Sequence, residues 1–328
     1  MNQEIMIVFD AFVSALEKDD TSALRKIFAK DIELKSSFLK NSKGIDDVVE
    51  TLKWKGEKID IKKLRVFNNV IRDNEEEAYQ SFYFTLLFGK NTNDFLNLMF
   101  GAISNVIHYI FTEDGWKINR IHCLLTCESG NTSFVSNWWK MIDYSKYNGC
   151  EKSPIDPIED NPWYAIKEVK SKNDEEQIKE LFRRYNWDID NDMFEDLYTI
   201  TSKEFDCTSW GLSGTKEWKE HLDHKRKRKI NIRGKELPRE ACWNHISSFI
   251  QLNIDNDTAH AHIIRYEPNR MMNKFVHKYN IDIIYYPFYW NMDFVKEEGE
   301  WKFKRIEQIM ANDGMDVLLA DVEKQRYF

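Results

Sequence analysis

A chain of 328 residues, 42% hydrophobic and 14% aromatic, is long enough for two domains that each bury a core. Its net charge of −8, with both signs well mixed, favours solubility and argues against a duplex nucleic-acid partner. Five scattered cysteines without a C-x-x-C pair exclude a disulfide framework and a cysteine-ligated zinc. No run approaches a membrane span, and Asp10 interrupts the only apolar stretch near the start, so a cytoplasmic protein without a signal peptide is expected.

Ile5, Phe9, Phe12, Val13 and Leu16 fall at helical spacing, as do Leu24, Ile27 and Phe28 after a break at Lys18-Asp19-Asp20-Thr21. Gly44 opens a third helix ending near Leu52. From Leu64 the period changes, and β-branched and aromatic runs broken by acidic turns continue to Glu128. Three of the six prolines, Pro154, Pro157 and Pro162, then mark a joint between about Trp139 and Asn173. The sequence of events restarts: Ile178, Leu181, Phe182, Tyr185 and Ile189 form one helical stripe, Phe194, Leu197 and Tyr198 another, and Gly214 opens a helix ending near Leu222. The run His224-Lys225-Arg226-Lys227-Arg228-Lys229 reads as a solvated helix end, with a localisation signal or phosphate contact as the alternatives. Strand-like runs occupy Trp243 to about Met310, and Gly314 to Phe328 is expected to form a short tail helix carrying Val317, Leu318 and Leu319.

Two passages make the restart a repeat. Trp116-Lys117-Ile118-Asn119-Arg120-Ile121 returns as Trp301-Lys302-Phe303-Lys304-Arg305-Ile306, each after a short acidic turn with a glycine. Asn74-Glu75-Glu76-Glu77-Ala78 returns as Asp255-Asn256-Asp257-Thr258-Ala259, and Gly44 as Gly214. Too long for a solenoid period, this is one domain written twice, with the offset between copies growing by insertions. Helices first and strands afterwards imply α+β copies with helices on one face of an antiparallel sheet. The expected division is 1–140, a linker at 141–173, a second copy at 174–312 and the tail at 313–328.

The order of three helices, a curved sheet and a terminal G-x-W-K-x-x-R strand resembles the nuclear transport factor 2-like (NTF2-like) superfamily, and within it the SnoaL-like branch. The second copy carries the closer likeness, in Arg184-Tyr185-x4-Asp190-x-Asp192 and in Asn244-His245-Ile246 followed by Asp255-Asn256-Asp257-Thr258-Ala259. Catalytic members of that branch, such as scytalone dehydratase and bile-acid 7α-dehydratase, work inside the cone of sheet and helices. Carried over by position, the resemblance implies Asp190, Tyr185 and His245 as catalytic residues. It also implies two tandem cones and chemistry without a cofactor. The residue types suit loss of water from a β-hydroxy carbonyl or activated ring. An imidazole oriented by a carboxylate serves as both base and acid, and a phenol holds the substrate oxygen where charge develops.

Bland readings stand beside these. Asp190 suits a cap or turn, His245 a satisfied buried histidine, and Tyr185 belongs to its helix's apolar stripe. Tyr185 and Asp190 lie roughly 140° apart on an ideal helix, so they converge only if the helix ends before Asp190. Trp187, Trp210, Trp243, His262 and Tyr289 are the expected substrate contacts, since such rings line an apolar cavity when they do not fill a core. His260 and His262 share a strand face but lack a carboxylate at ligand spacing, so no metal is expected there. Neither a P-loop nor G-x-G-x-x-G, H-E-x-x-H or G-x-S-x-G occurs.

The first copy lacks the set. On this reading Ala15 stands opposite Tyr185, Leu64 opposite His245 and Asp20 opposite Asp190, while His108 and His122 fall on the last strands. Two functions follow. One is a cofactor-independent lyase or isomerase, dehydratase-like, acting on a hydrophobic ring-bearing small molecule in the second copy. The other is a non-catalytic small-molecule-binding or scaffold protein. No nucleic-acid or membrane partner is expected. Pairing of the two copies through their sheets, as an intramolecular pseudo-dimer, would favour a monomer over a homodimer.

Overall fold

The computed structural model describes residues 3–92, 95–142, 152–167, 172–191, 193–207, 211–233, 244–270 and 283–310. The chain divides into two compact units near residue 170. In the first, helices α1 (Gln3–Lys18) and α2 (Thr21–Ile27) lead into β1 (Phe28–Ser36), β2 (Ser42–Lys43) and α3 (Ile45–Leu52). Four long strands follow, β3 (Ile61–Asp73), β4 (Glu77–Asn91), β5 (Leu96–Thr112) and β6 (Gly115–Gly130), and a single turn of helix, α4 (Pro162–Ala165), comes after them. The second unit repeats the order with α5 (Asp174–Asp190), α6 (Phe194–Thr199), β7 (Thr201–Cys207), β8 (Leu212–Ser213), α7 (Gly214–Arg233), β9 (Ile246–Asp255), β10 (Thr258–Arg270), β11 (Ile283–Glu297) and β12 (Glu300–Met310).

Each unit is built on a six-stranded sheet, ordered β2-β1-β6-β5-β4-β3 in one and β8-β7-β12-β11-β10-β9 in the other. The expected sheet was antiparallel. It is mixed, because β1 lies parallel to β6 and β7 parallel to β12. These strands come from segments whose period-two signal is short, as in Ile32-Glu33-Leu34-Lys35, where Ile32 and Leu34 are fully buried. Gly44 and Gly214 stand at matching turns before α3 and α7 with φ of 84° and 75°, a region only glycine enters without strain. Helix α7 continues to Arg233 instead of stopping near Leu222, so the basic run at 224–229 lies within it. The tail at 313–328 is outside the described residues.

Strand registers align the copies residue by residue. Leu34 opposes Ile121 as Cys207 opposes Ile306, a displacement of 173 for the first strand of each copy. Asp73 opposes Ala78 as Ile254 opposes Ala259, a displacement of 181. Phe111 opposes Trp116 as Lys296 opposes Trp301, so the two tryptophans hold the same place, 185 apart. At the glycine turns the displacement is 170, so the offset first falls and then grows.

The helical stripe follows the displacement of 173. Ile5, Phe9 and Phe12 are buried in α1 as Ile178, Phe182 and Tyr185 are in α5. Phe12 therefore stands opposite Tyr185 and Glu17 opposite Asp190, which corrects the pairing with Ala15 and Asp20. Asp20 caps α2, its carboxylate accepting from Ala23 N at 2.9 Å.

In each unit the core lies between helices and one sheet face. In the first, Phe9 and Phe82 meet edge to face at 4.8 Å, and Trp54, Trp138, Trp139 and Phe88 close the far end. On the sheet's other face, Arg72 binds the carbonyl of Ile166 at 2.8 Å, fastening part of the linker segment to the first unit.

Candidate functional site

Helix α5 is fixed at both ends. Asn173 accepts from Glu176 N, and Glu176 answers Asn173 N, a reciprocal cap worth about 1 kcal/mol. Asp174 accepts from Trp301 Nε1 at 2.8 Å and Lys296 Nζ at 2.7 Å. Those bonds, from Lys296 first and Trp301 second, hold its carboxyl below the usual range. Near the other end, Arg184 grips Asp196 of α6 through Nε at 2.8 Å and through a second, shorter bond.

Between these ties, one side of α5 meets β9 and the residue just before it in two polar rungs. Asn186 Nδ2 donates to Ser247 Oγ at 3.2 Å. One helical turn on, Asp190 Oδ2 accepts from His245 N at 3.1 Å, and Asp190 Oδ1 bonds His245 Nδ1. The spacing is geometric: a helical turn of about 5.4 Å runs beside a two-residue strand step of roughly 6.6 Å. Both members of the lower rung are buried, with side-chain exposures of 2% for Asp190 and 9% for His245. A carboxylate on both the backbone N–H and Nδ1 fixes the ring's position and orientation.

Helix α5 runs through Asp190, so Tyr185 and Asp190 stay roughly 140° apart and do not converge. Tyr185 faces the ring-lined interior, 5.5 Å from Phe303, 6.1 Å from Trp290 and stacked on Phe182. Above these rings lies a residue the sequence reading missed. The Arg265 guanidinium, on β10, is 4.5 Å from the Trp290 ring and 5.6 Å from that of Tyr185, and the residue is 3% exposed. Ser247 is its cross-strand neighbour on β9. The signal was present: Ala259, Ala261 and Ile263 point inward along β10, and Arg265 is next in that period.

The remaining expected contacts disperse. His262 and Tyr289 stack on each other at 5.1 Å, with His262 bonded to Asn291. They alternate with the inward residues Ile263 and Trp290 and so occupy the sheet's outer face, not the cone. His260, also outward, pairs with Asp293 at 2.7 Å. Trp187 is 2% exposed but about 200° around α5 from Tyr185, away from the side that packs on the sheet. Trp210 and Trp243 lie outside the described residues. Among the described residues, no cluster of His, Cys, Asp and Glu has the makings of a metal site, and no helix is long and apolar enough to cross a membrane.

The first unit has its own imidazole–carboxylate pair, elsewhere. His122 Nδ1 meets Asp160 Oδ2 at 2.8 Å on the outer face of the sheet, beneath the linker segment. A surface cleft of about 440 Å3, lined by Tyr198, Lys203, Glu298 and Lys302 among others, shares no residue with the α5–β9 cluster.

No protein-family model and no curated protein matches the chain. Solved structures do resemble parts of it. A candidate dehydratase of the NTF2-like family from Streptomyces avermitilis is 15% identical over 37% of this chain and 93% of its own, with a TM-score of 0.33. An NTF2-like protein with a cystatin-like fold from Novosphingobium aromaticivorans is 14% identical over 38% of this chain and 80% of its own, at 0.32. LinA is 14% identical over 40% of this chain and 88% of its own, at 0.34. In both units the helices and the four long strands come in the order the sequence resemblance implies, with two short strands set before the third helix and one of them parallel to its neighbour. Each copy is an α+β cone, with helices over one face of a six-stranded mixed sheet. At such identities and TM-scores the likeness says nothing of reaction.

Proposed function

We propose that the second cone is a cofactor-independent proton-transfer site, a lyase or isomerase of dehydratase type for a hydrophobic ring-bearing small molecule. One observation carries the reading: a local polarisation of a repeated scaffold. The first cone has Phe12, Val13, Leu64, Val66 and Phe84, and the second has Tyr185, Asn186, His245, Ser247 and Arg265 at the matching positions. Five apolar positions turned polar at one end of a core run against stability, since a buried polar group costs about 1–3 kcal/mol where its bonds are incomplete. The fold manages without them in the first copy, which supports a role in chemistry.

His245 is the proton-transfer group in this reading, with Asp190 holding its ring by Nδ1. Tyr185, turned away from Asp190, serves as ring wall and not as an acid. The test is exchange of an α-proton with solvent deuterium, followed by NMR, across aryl ketones and ring-bearing β-hydroxy ketones. Exchange that depends on His245 supports the proposal, and exchange unaffected by His245→Gln defeats it.

A second reading, a non-catalytic binding or scaffold module, has its own observation. Glu17 of the first copy accepts from Leu64 N at 2.9 Å, just as Asp190 accepts from His245 N. The carboxylate thus performs a bracing task that needs no chemistry.

A further inference from the structure

We propose that Lys62 is a covalent site for an aromatic aldehyde, which it holds as an imine at the rim of the first cone. This is independent of the α5–β9 cluster in the second. Lys62 lies on β3, two residues before the buried Leu64 and opposite the buried Phe88 of β4, so it belongs to the sheet's inner face. Its Nζ stands 4.8 Å from the centre of the Trp54 ring. Trp54 in turn meets Phe88 at 5.0 Å and Trp138 at 5.2 Å, both edge to face. Lys62, Trp54 and Trp138 are each partly exposed, so an aldehyde reaches the amine from solvent and needs no interior void.

A lysine drawn away from water is usually paired. Two carboxylates are near, but each is engaged with a backbone N–H: Glu17 with that of Leu64 at 2.9 Å and Asp19 with that of Trp54 at 2.8 Å. Among the described residues no acceptor bonds the Lys62 ammonium. Burial lowers its pKa, and the attraction of Asp19 and then Glu17 offsets only part of that. More of the amine is therefore neutral, and nucleophilic, than in a lysine surrounded by water. The Trp54 ring favours a cation by about 0.5–1 kcal/mol, and that preference passes to the product, because a protonated imine is a cation too. Its charge is spread over the C=N bond and the attached ring, so it loses less on burial than a compact, strongly hydrated ammonium. In the step itself, the neutral Nζ adds its lone pair to the carbonyl carbon, and the C=O π pair takes a proton onto oxygen. The carbinolamine then loses that oxygen as water. Overall, an ammonium and an aldehyde give an iminium and one water, with nothing oxidised or reduced. The aryl group would rest against Trp54 and Trp138.

Incubation of the full chain with 2-naphthaldehyde near neutral pH, trapping with cyanoborohydride and peptide mass spectrometry test this. Lys62 should be trapped about tenfold or more faster than the exposed Lys53 and Lys63, since each unit by which a pKa falls raises the neutral fraction about tenfold. With propanal, which has no ring to stack, that advantage should shrink by about threefold or more. Trp54→Leu should bring the two aldehydes together, and Lys62→Arg should keep the charge and take no label. Should Trp54→Leu fail to fold by near-ultraviolet circular dichroism, the comparison of aldehydes on the parent chain carries the same test. His245→Gln should leave trapping at Lys62 unchanged, so failure of the second-cone reading does not touch this one. Trapping of Lys62 no faster than that of Lys53 and Lys63, or an equal advantage with both aldehydes, would overturn the proposal.

Discussion

The two cones differ most at the place where the first helix ends beside the first long strand. In one, Glu17 receives the N–H of Leu64, and Val13 and Val66 pack above it on the core. In the other, Asp190 receives both the N–H and the ring Nδ1 of His245, and Asn186 and Ser247 form a hydrogen bond above. The shared element is the carboxylate brace, which ties a backbone N–H at the edge of the sheet to the helix. The imidazole, the amide–hydroxyl rung and the nearby guanidinium are additions. A carboxylate in this position therefore indicates scaffold, and only its partner indicates chemistry.

The sharpest way to break that comparison is at the imidazole. His245→Ala should lower α-proton exchange about 10²-fold or more, the scale of positioned proton transfer, while leaving the Asp190 brace to the backbone N–H. His108→Ala and His122→Ala should change exchange less than about twofold. Those rings pair with Glu77 and Asp160 on the outer face of the first sheet. A loss at His122 equal to that at His245 would show that the two imidazole–carboxylate pairs are not distinguished by their position in the fold.

The brace itself gives the next effect. Glu17→Ala and Asp190→Ala each leave a buried N–H unpaired and should each destabilise their own unit by about 1–3 kcal/mol, read from denaturant unfolding. Only Asp190→Ala should also reduce exchange. Equal loss of exchange in both variants would mean that the effect is one of stability.

Much of this was legible in the sequence. The repeated W-K-apolar-x-R-I strand fixed the duplication, and Trp116 and Trp301 do sit at one place in their sheets. The helical stripes were visible because buried Ile, Phe and Tyr recur every three to four residues. Their alignment was not, because a stripe with that period looks much the same when slid by three residues. Only the parallel pairing of β1 with β6 and of β7 with β12 fixes the offset, and β1 and β7 are short and half-charged. Asp190 and His245 were named through resemblance, with nothing local to say that they touch. Arg265 was passed over because an arginine in a strand reads as solvent-facing until the inward period of its neighbours is counted. His262 and Tyr289 failed by the same count, each one residue out of phase with the interior.

The smallest expected effect concerns a second charged group in the same helix. Asp188 stands where the first copy has Ala15, Arg184 where it has Ala11, and Asp196 where it has Ala23, so a buried ionic set replaces three alanines. Burial pushes the Asp188 carboxyl well above the ordinary range, and the Asp196 carboxylate adds to the push while Arg184 opposes it. A group whose folded pKa is raised binds its proton more tightly folded than unfolded. Its contribution is most favourable below the unfolded pKa of about 4 and declines as pH rises from there toward the folded value. Asp188→Asn keeps the shape and an N–H donor toward Asp196 while removing the titration. Near pH 4 the variant and parent should therefore melt together, and toward neutral pH the variant should melt a few degrees higher, since about 1 kcal/mol moves the midpoint by roughly 2–4 °C at this size. Circular dichroism in the near ultraviolet, followed against temperature at both ends of that range, reads the difference. A constant gap across the range would mean that Asp188 does not titrate between the folded and unfolded values, and a lower melting point at neutral pH would mean that its ionised form is what holds Arg184 and Asp196 together.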